Sequence, residues 1–371
     1  MLTDADSLLL GPRGRRLCLE LAMEADADVR RAILELGFDL EPSYSKSRVV
    51  RYSLGSGPLE PVPTSMLSVA EVANIIAMLD LSLIDDDLVQ RALPQAVDAA
   101  RYWQQPDGVD VLADTPEVRV SSVRIAVKVL QMPAAQWWLQ GFQPDQWAID
   151  WRVPCDPTPL PRNPRQPLAD WARKERSEEL RAVRERPQDP HANYGGEWWS
   201  IAHGLVQTVS QIPEGLSLVE DSLGWEFATT IPVSGTGRIL EIRSAEEWTD
   251  LCRDYPLEVT ASRRHDWFRT TGRHGKWVIP DWEQASEEWD AVHLTVIGYL
   301  SAAGRALAVD EDTASVIAGW DPGSTIWLTD VAREIEEPRQ FWRSNQEDRW
   351  DLVGTGQGLT FWRGPQIGPT Q

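Results

Sequence analysis

The chain has 371 residues, 42 % hydrophobic and 25 % charged, a composition of folded globular proteins with room for two domains. Its formal net charge of -21 disfavours non-specific attachment to nucleic acid or to an anionic membrane surface, so neither is expected as a partner. No apolar run reaches the roughly 20 residues of a membrane span, and Cys18, Cys155 and Cys252 lie too far apart for a disulfide framework or a paired-cysteine zinc site. The start, Met1-Leu2-Thr3-Asp4-Ala5-Asp6, lacks the cationic region of a secretory signal, and a cytoplasmic location is expected.

Residues 1–151 read as a mainly helical domain. Apolar positions at helical spacing run from Leu17 to Leu36, with Gly37 as the stop. Ser68-Val69-Ala70-Glu71 is a capping box before Val72, Ile75, Ile76 and Leu79. Further helices are expected over Asp86–Trp103 and about Glu117–Leu130. Arg48 to Leu54 reads as a short strand or an extended loop, and Gly55–Pro63 as a turn-rich connector.

Residues 152–190 read as a proline-rich linker followed by a charged helix. Pro154, Pro157, Pro159 and Pro161 bar helix and central strand, and Trp171 to Arg186 alternates Arg or Lys with Glu at spacings that favour a solvated helix. From His191 to 345 the pattern turns strand-like, with candidates at Glu197–Ile201, Leu205–Val209, Leu216–Val219, Trp225–Ile231 and Arg238–Ile242. Ser244-Ala245-Glu246-Glu247 caps a helix that Pro256 ends; Asp281–Trp289 is another helix, and Ala291–Leu300 and Ser315–Leu328 are strands. Residues 346–371 form a tail that carries Gly354, Gly356 and Gly358 and the tryptophans Trp350 and Trp362. The expected fold class is α+β, a helical N-terminal domain followed by a mixed, strand-rich C-terminal domain.

Within an acidic chain, Ser262 to Lys276 is a basic island: Arg263, Arg264, Arg269, Arg273 and Lys276 with His265 and His274 against Asp266 alone. Read as a loop with Thr270, Thr271 and Gly272, it offers Arg forks and backbone N–H groups to an anion, or it is a solvated run paired with surface carboxylates. The ligand expected is an anionic small molecule, with NAD or another nucleotide as the suspected cofactor, held by Arg263, Arg264, His265, Arg269, Thr271 and Arg273. In Gly319-Trp320-Asp321-Pro322-Gly323-Ser324-Thr325, Trp320, Asp321 and Thr325 face a ligand or form a hairpin corner. His293, in an alternating apolar run, is a base or a satisfied core residue. The 19 tryptophans, with pairs at Trp137-Trp138 and Trp198-Trp199, are a stacking surface for sugars, bases or nicotinamide, or core. The competing function is a non-catalytic protein that docks a partner through tryptophan-rich surfaces and its acidic helical domain.

Tyr255-Pro256, Arg263-Arg264-His265-Asp266-Trp267, Pro280-Asp281-Trp282, Trp289-Asp290, His293-Leu294 and Gly319-Trp320-Asp321-Pro322 together resemble an uncharacterised family of cytosolic actinobacterial proteins, which brings no activity with it. A strand ending in Arg243, a hydroxyl-bearing strand at Ser324-Thr325 and a later Glu334 or Glu336 resemble the Arg, Ser/Thr and Glu plan of ADP-ribosyltransferases. That likeness implies nucleotide-dependent group transfer with Arg243, His293 and Glu336 as catalytic groups.

Overall fold

The computed structural model describes residues 4–42, 67–152, 159–222, 224–345 and 349–356. The readings at Arg48–Leu54, Gly55–Pro63, Cys155 and the tail beyond Gly356 lie outside the described residues. The chain is α+β, with helices gathered in its N-terminal part and mixed sheets in its C-terminal part.

The first part holds α1 (Asp4–Leu10), α2 (Pro12–Ala25), α3 (Ala27–Leu40), α4 (Val69–Ala77), α5 (Asp86–Asp98), α6 (Gly108–Ala113) and α7 (Pro116–Leu130). The single helix expected over Leu17–Leu36 is two, because Asp26 leaves the helical conformation at φ -146° and its carboxylate caps the Asp28 and Val29 N–H groups. Gly37 is not a stop; it lies inside α3, where its missing side chain lets the backbone of Gly108 on α6 approach. The capping box at Ser68 forms in full.

Next come β1 (Asp145–Asp150), α8 (Arg165–Glu185), β2 (Gln207–Val209), α9 (Glu214–Ser217), β3 (Phe227–Ser234), β4 (Ile239–Ile242) and α10 (Ala245–Asp254). They are followed by β5 (Pro256–Glu258), α11 (Thr260–Thr271), β6 (Lys276–Pro280), α12 (Trp282–Ala285), β7 (Ala291–Leu294), α13 (Val296–Ala302), β8 (Leu307–Ala308) and β9 (Thr313–Ser315). The last strands are β10 (Ser324–Trp327), β11 (Arg333–Glu334), β12 (Arg339–Ser344) and β13 (Trp350–Gly356). Nine strands make the larger sheet in the order β13-β12-β3-β1-β2-β10-β7-β4, with β11 on β3; β5-β6-β9-β8 make a second. Among the described residues only the β4–β7 pair of the larger sheet is parallel. The segment expected as a strand over Ala291–Leu300 divides at Thr295, whose hydroxyl caps α13, and Leu216–Val219 opens as the last turn of α9 rather than a strand. The main core runs continuously from Ala5 to Leu328, so the helical part and the sheets share it.

Two charged segments pack against each other. The helix at 171–186 is not a solvated linker: α8 buries Trp171, Ala172, Glu175, Glu179 and Ala182. The basic island is not a loop: α11 carries Arg263, Arg264, His265 and Arg269. Glu179 on α8 accepts the Ala261 and Ser262 N–H groups at 2.7 and 2.8 Å, capping α11 from a neighbouring helix, since the N-cap residue Val259 has no side chain to do so. Glu175 accepts from Arg263 Nη2 at 2.7 Å, with both side chains almost wholly buried.

Candidate functional site

The structure draws the basic island into internal bonds. Arg263 also donates to the Trp199 carbonyl, and Arg264 donates to the Pro187 carbonyl at 2.8 Å. His265 is buried against the Tyr194 ring, and burial with Arg264, Arg186 and Arg269 nearby holds its pKa below the usual value. Arg273 donates to the Lys276 and Asp312 carbonyls and covers the Trp277 ring. The N–H groups that would cradle phosphate at the start of α11 are taken by Glu179. Arg269 and Thr271, at the other end of α11, reach a cavity described below.

The residues suggested for group transfer divide between two places. Cross-strand register puts Glu241, His293 and Thr325 side by side on β4, β7 and β10. His293 Nδ1 lies 2.9 Å from Thr325 Oγ1, and burial lowers its pKa to about 4, so the imidazole is neutral at pH 7. Arg243 folds back onto Glu241, with Nε 2.6 Å from the carboxylate. Glu336 lies just beyond β11, whose partner β3 is four strand spacings from β7, roughly 19 Å. Arg243 and His293 therefore share one end of the sheet, and Glu336 belongs to another. Trp320 is core, packed against Trp248 and Trp282. The tryptophan pairs are mostly inward: Trp138 is buried, and Trp198 and Trp199 stack on each other at 4.5 Å.

A cavity of about 750 Å³ opens between the start of α2, the loop Ala99–Asp107 with α6, and the end of α11. Among the described residues six arginines line it (Arg13, Arg15, Arg101, Arg119, Arg269 and Arg305) against three aspartates, Asp107, Asp110 and Asp114, with no lysine, histidine or glutamate. Each of two aspartates is already divided between guanidinium groups. Asp110 serves Arg13 and Arg16, and Asp114 serves Arg15 and Arg119. Arg305 makes no ion pair among the described residues; its Nε donates to the Ser301 carbonyl at 3.1 Å, and burial lowers its pKa. Burial also lowers Arg15 to about 10 despite Asp114 beside it, and its Nε has no hydrogen-bond partner. These cations surround the N-terminus of α2, whose first turn carries no acidic residue and already presents the positive end of the helix dipole. Arg101 and Arg269 pair with Asp221 and Asp266 outside the lining, so Arg305 is the cation of the wall that, among the described residues, no carboxylate neutralises.

Behind the cavity wall lies a carboxyl and tyrosine unit. Tyr102, which lines the cavity, donates to Glu220 Oε1, as does Tyr299 at 2.7 Å. Glu220 Oε2 is sealed without a partner. Desolvation raises the Glu220 carboxyl to about 8, and the carboxyl of Asp321 nearby adds to the rise. Desolvation likewise raises Asp321 to about 6; Gln207 Nε2 approaches it at 3.5 Å and donates to Ser324 Oγ at 2.9 Å. Glu220 therefore keeps its proton at pH 7. The turn motif points to Asp321, whereas Arg13, Tyr102, Glu220, Tyr299 and Arg305 carry no local motif. The only signal available to sequence reading was the run of Arg13, Arg15 and Arg16 at a helix start, where acidic residues are the rule.

Among the described residues no helix is long and apolar enough to cross a membrane, and no three His, Cys, Asp or Glu side chains are grouped to hold a metal ion. No protein-family model, no curated protein and no solved structure matches the chain.

Proposed function

We propose that the arginine-lined cavity binds a small anion that bears phosphate, with a nucleotide as the ligand class. The observation that carries this is a wall of six arginines in which, among the described residues, Arg305 has no ion-pair partner and Arg15 keeps an unbonded Nε. A volume of about 750 Å³ falls in the range of small-molecule and cofactor sites. Arg269 and Thr271 are the members of the basic island that take part, together with Arg15, Arg119 and Arg305. Arg guanidinium forks suit phosphate oxygens bidentately. Arg243, His293 and Glu336 line no part of this cavity, so the proposal concerns binding and assigns them no role in it.

A thermal-shift screen with inorganic phosphate, pyrophosphate, ADP, GDP and NAD tests it. A ligand at 100 times its Kd adds about 2.7 kcal/mol to stability. The expected result is a rise in Tm with the phosphate-bearing compounds and none with adenosine. An equal response to adenosine and ADP, or a flat panel at millimolar ligand, would remove the proposal.

A further inference from the structure

A second part of the surface has a different chemistry. Two adjoining cavities of about 930 and 350 Å³ lie between α5, α9 and the β12–β13 hairpin. They share Pro94, Gln95, Ser217, Trp350 and Asp351 in their walls and so form one groove. Trp151, Trp225 and Trp350 line the wider end, and Trp137 and Trp138 the narrower. Trp151 and Trp225 are nearly parallel, with ring centroids 6.1 Å apart, and Trp350 leans on Trp151 at 5.8 Å.

Most core tryptophans are satisfied internally, while Trp138, Trp277 and Trp320 are sealed without an acceptor. Trp248, Trp267, Trp282, Trp327 and Trp342 each spend the indole N–H on an internal acceptor. Among the described residues Trp151, Trp225 and Trp350 donate to none, and Trp225 is 39 % exposed. Burying a large apolar ring is worth kilocalories, so three large rings left at an open groove form an unfinished surface. Aromatic rings that keep one apolar face and one free N–H suit a ligand that is apolar on one face and polar at its edge.

The polar groups narrow the choice. Asp98, Glu226 and Asp351 stand at the wide end, and Asp87 and Glu214 at the narrow end. The cations of the groove are engaged: Arg91 and Arg349 pair with Asp87, and Arg343 covers the Phe227 ring. Anionic ligands are therefore repelled, in contrast to the arginine-lined cavity. Gln95, Ser217, Ser222 and Ser344 add uncharged hydrogen-bonding groups along the length. Asp98 is fixed by the Ser222 N–H at 2.7 Å.

We infer that this groove binds a neutral oligosaccharide. A pyranose ring has a C–H face that lies on an indole and a rim of hydroxyls that donate to carboxylates and amides. The elongated shape, with aromatic rings at both ends, fits a chain of several sugars better than a single small cation.

Isothermal titration calorimetry of the full chain with cellohexaose, maltohexaose, chitohexaose and xylohexaose, with choline as the cationic control, tests this. Saturable binding of one of these hexasaccharides is expected, weakened at least tenfold by Trp225→Ala and unchanged by Arg305→Ala. Trp225 is at the surface, so its variant keeps the wild-type Tm; Asp351→Asn is the second variant and weakens binding without removing a ring. No heat from any of the four sugars at millimolar concentration, binding unaffected by both groove variants, or binding of choline in their place would overturn the inference.

Discussion

Glu220→Gln should make the protein less sensitive to alkali. Glu220 is raised from its ordinary 4.5 to about 8 by desolvation and by Asp321. The folded state therefore holds a proton that the unfolded chain has released, and stability falls as pH climbs from about 4.5 to about 8. A folded value of about 8 against 4.5 makes the wild type lose about 3 kcal/mol from this one group between pH 5 and pH 8. Glutamine keeps an oxygen for the two tyrosine hydroxyls and does not ionise. The stability difference, variant minus wild type, should grow by about 3 kcal/mol over that interval. Urea unfolding of both proteins at pH 5, 6, 7 and 8 measures it. A difference that stays constant with pH would show that Glu220 is solvated and ionises freely, and the desolvated-carboxyl argument would fail.

Four further outcomes follow from contacts elsewhere in the fold. Arg263→Ala leaves the Glu175 carboxylate buried beside the Trp199 carbonyl and should cost about 3–5 kcal/mol in urea unfolding. Arg264→Ala, which gives up one bond to a backbone carbonyl near the surface, should change stability by less than about 1 kcal/mol in the same assay. Ser244→Ala removes the capping box of α10 and should cost about 1 kcal/mol, read from the same denaturant curves. His293, lowered from 6.5 to about 4 by burial, contributes stability that is present above about 6.5 and lost as pH falls toward 4. His293→Gln should flatten that acid limb, and an unchanged acid limb would show that the ring is charged in the folded state.

Local features were legible in the sequence. The capping boxes at Ser68 and Ser244 each set a helix start within four residues, and the α+β class followed from the change of periodicity near residue 190. What failed to show was any arrangement made by partners far apart. Arg263 reads as a solvated or ligand-binding cation because Glu175, its partner, is 88 positions away on a helix that itself reads as solvated. Two charged helices that bury complementary charges against each other leave the same local pattern as two that do not. The sequence shows the cavity only at one edge, through Arg269 and Thr271, because Arg13 with Arg15, Arg119 and Arg305 come from three separate segments. Tyr102, Glu220 and Tyr299 likewise meet only through the tertiary fold. Adjacency singles out the tryptophan pairs, yet the rings that line the wide end of the groove, the half-buried Trp151 and Trp350 and the exposed Trp225, are each single in sequence and meet only in the fold.

The most direct test of the anion site is calorimetric titration of ADP and pyrophosphate into the wild type and into Arg305→Ala. Among the described residues Arg305 bonds only the Ser301 carbonyl, so its removal should leave the unfolding midpoint unchanged. The account predicts saturable binding by the wild type and an affinity at least tenfold weaker in the variant, a loss of about 1.4 kcal/mol. Binding of equal strength in both proteins, or none in either, would contradict it.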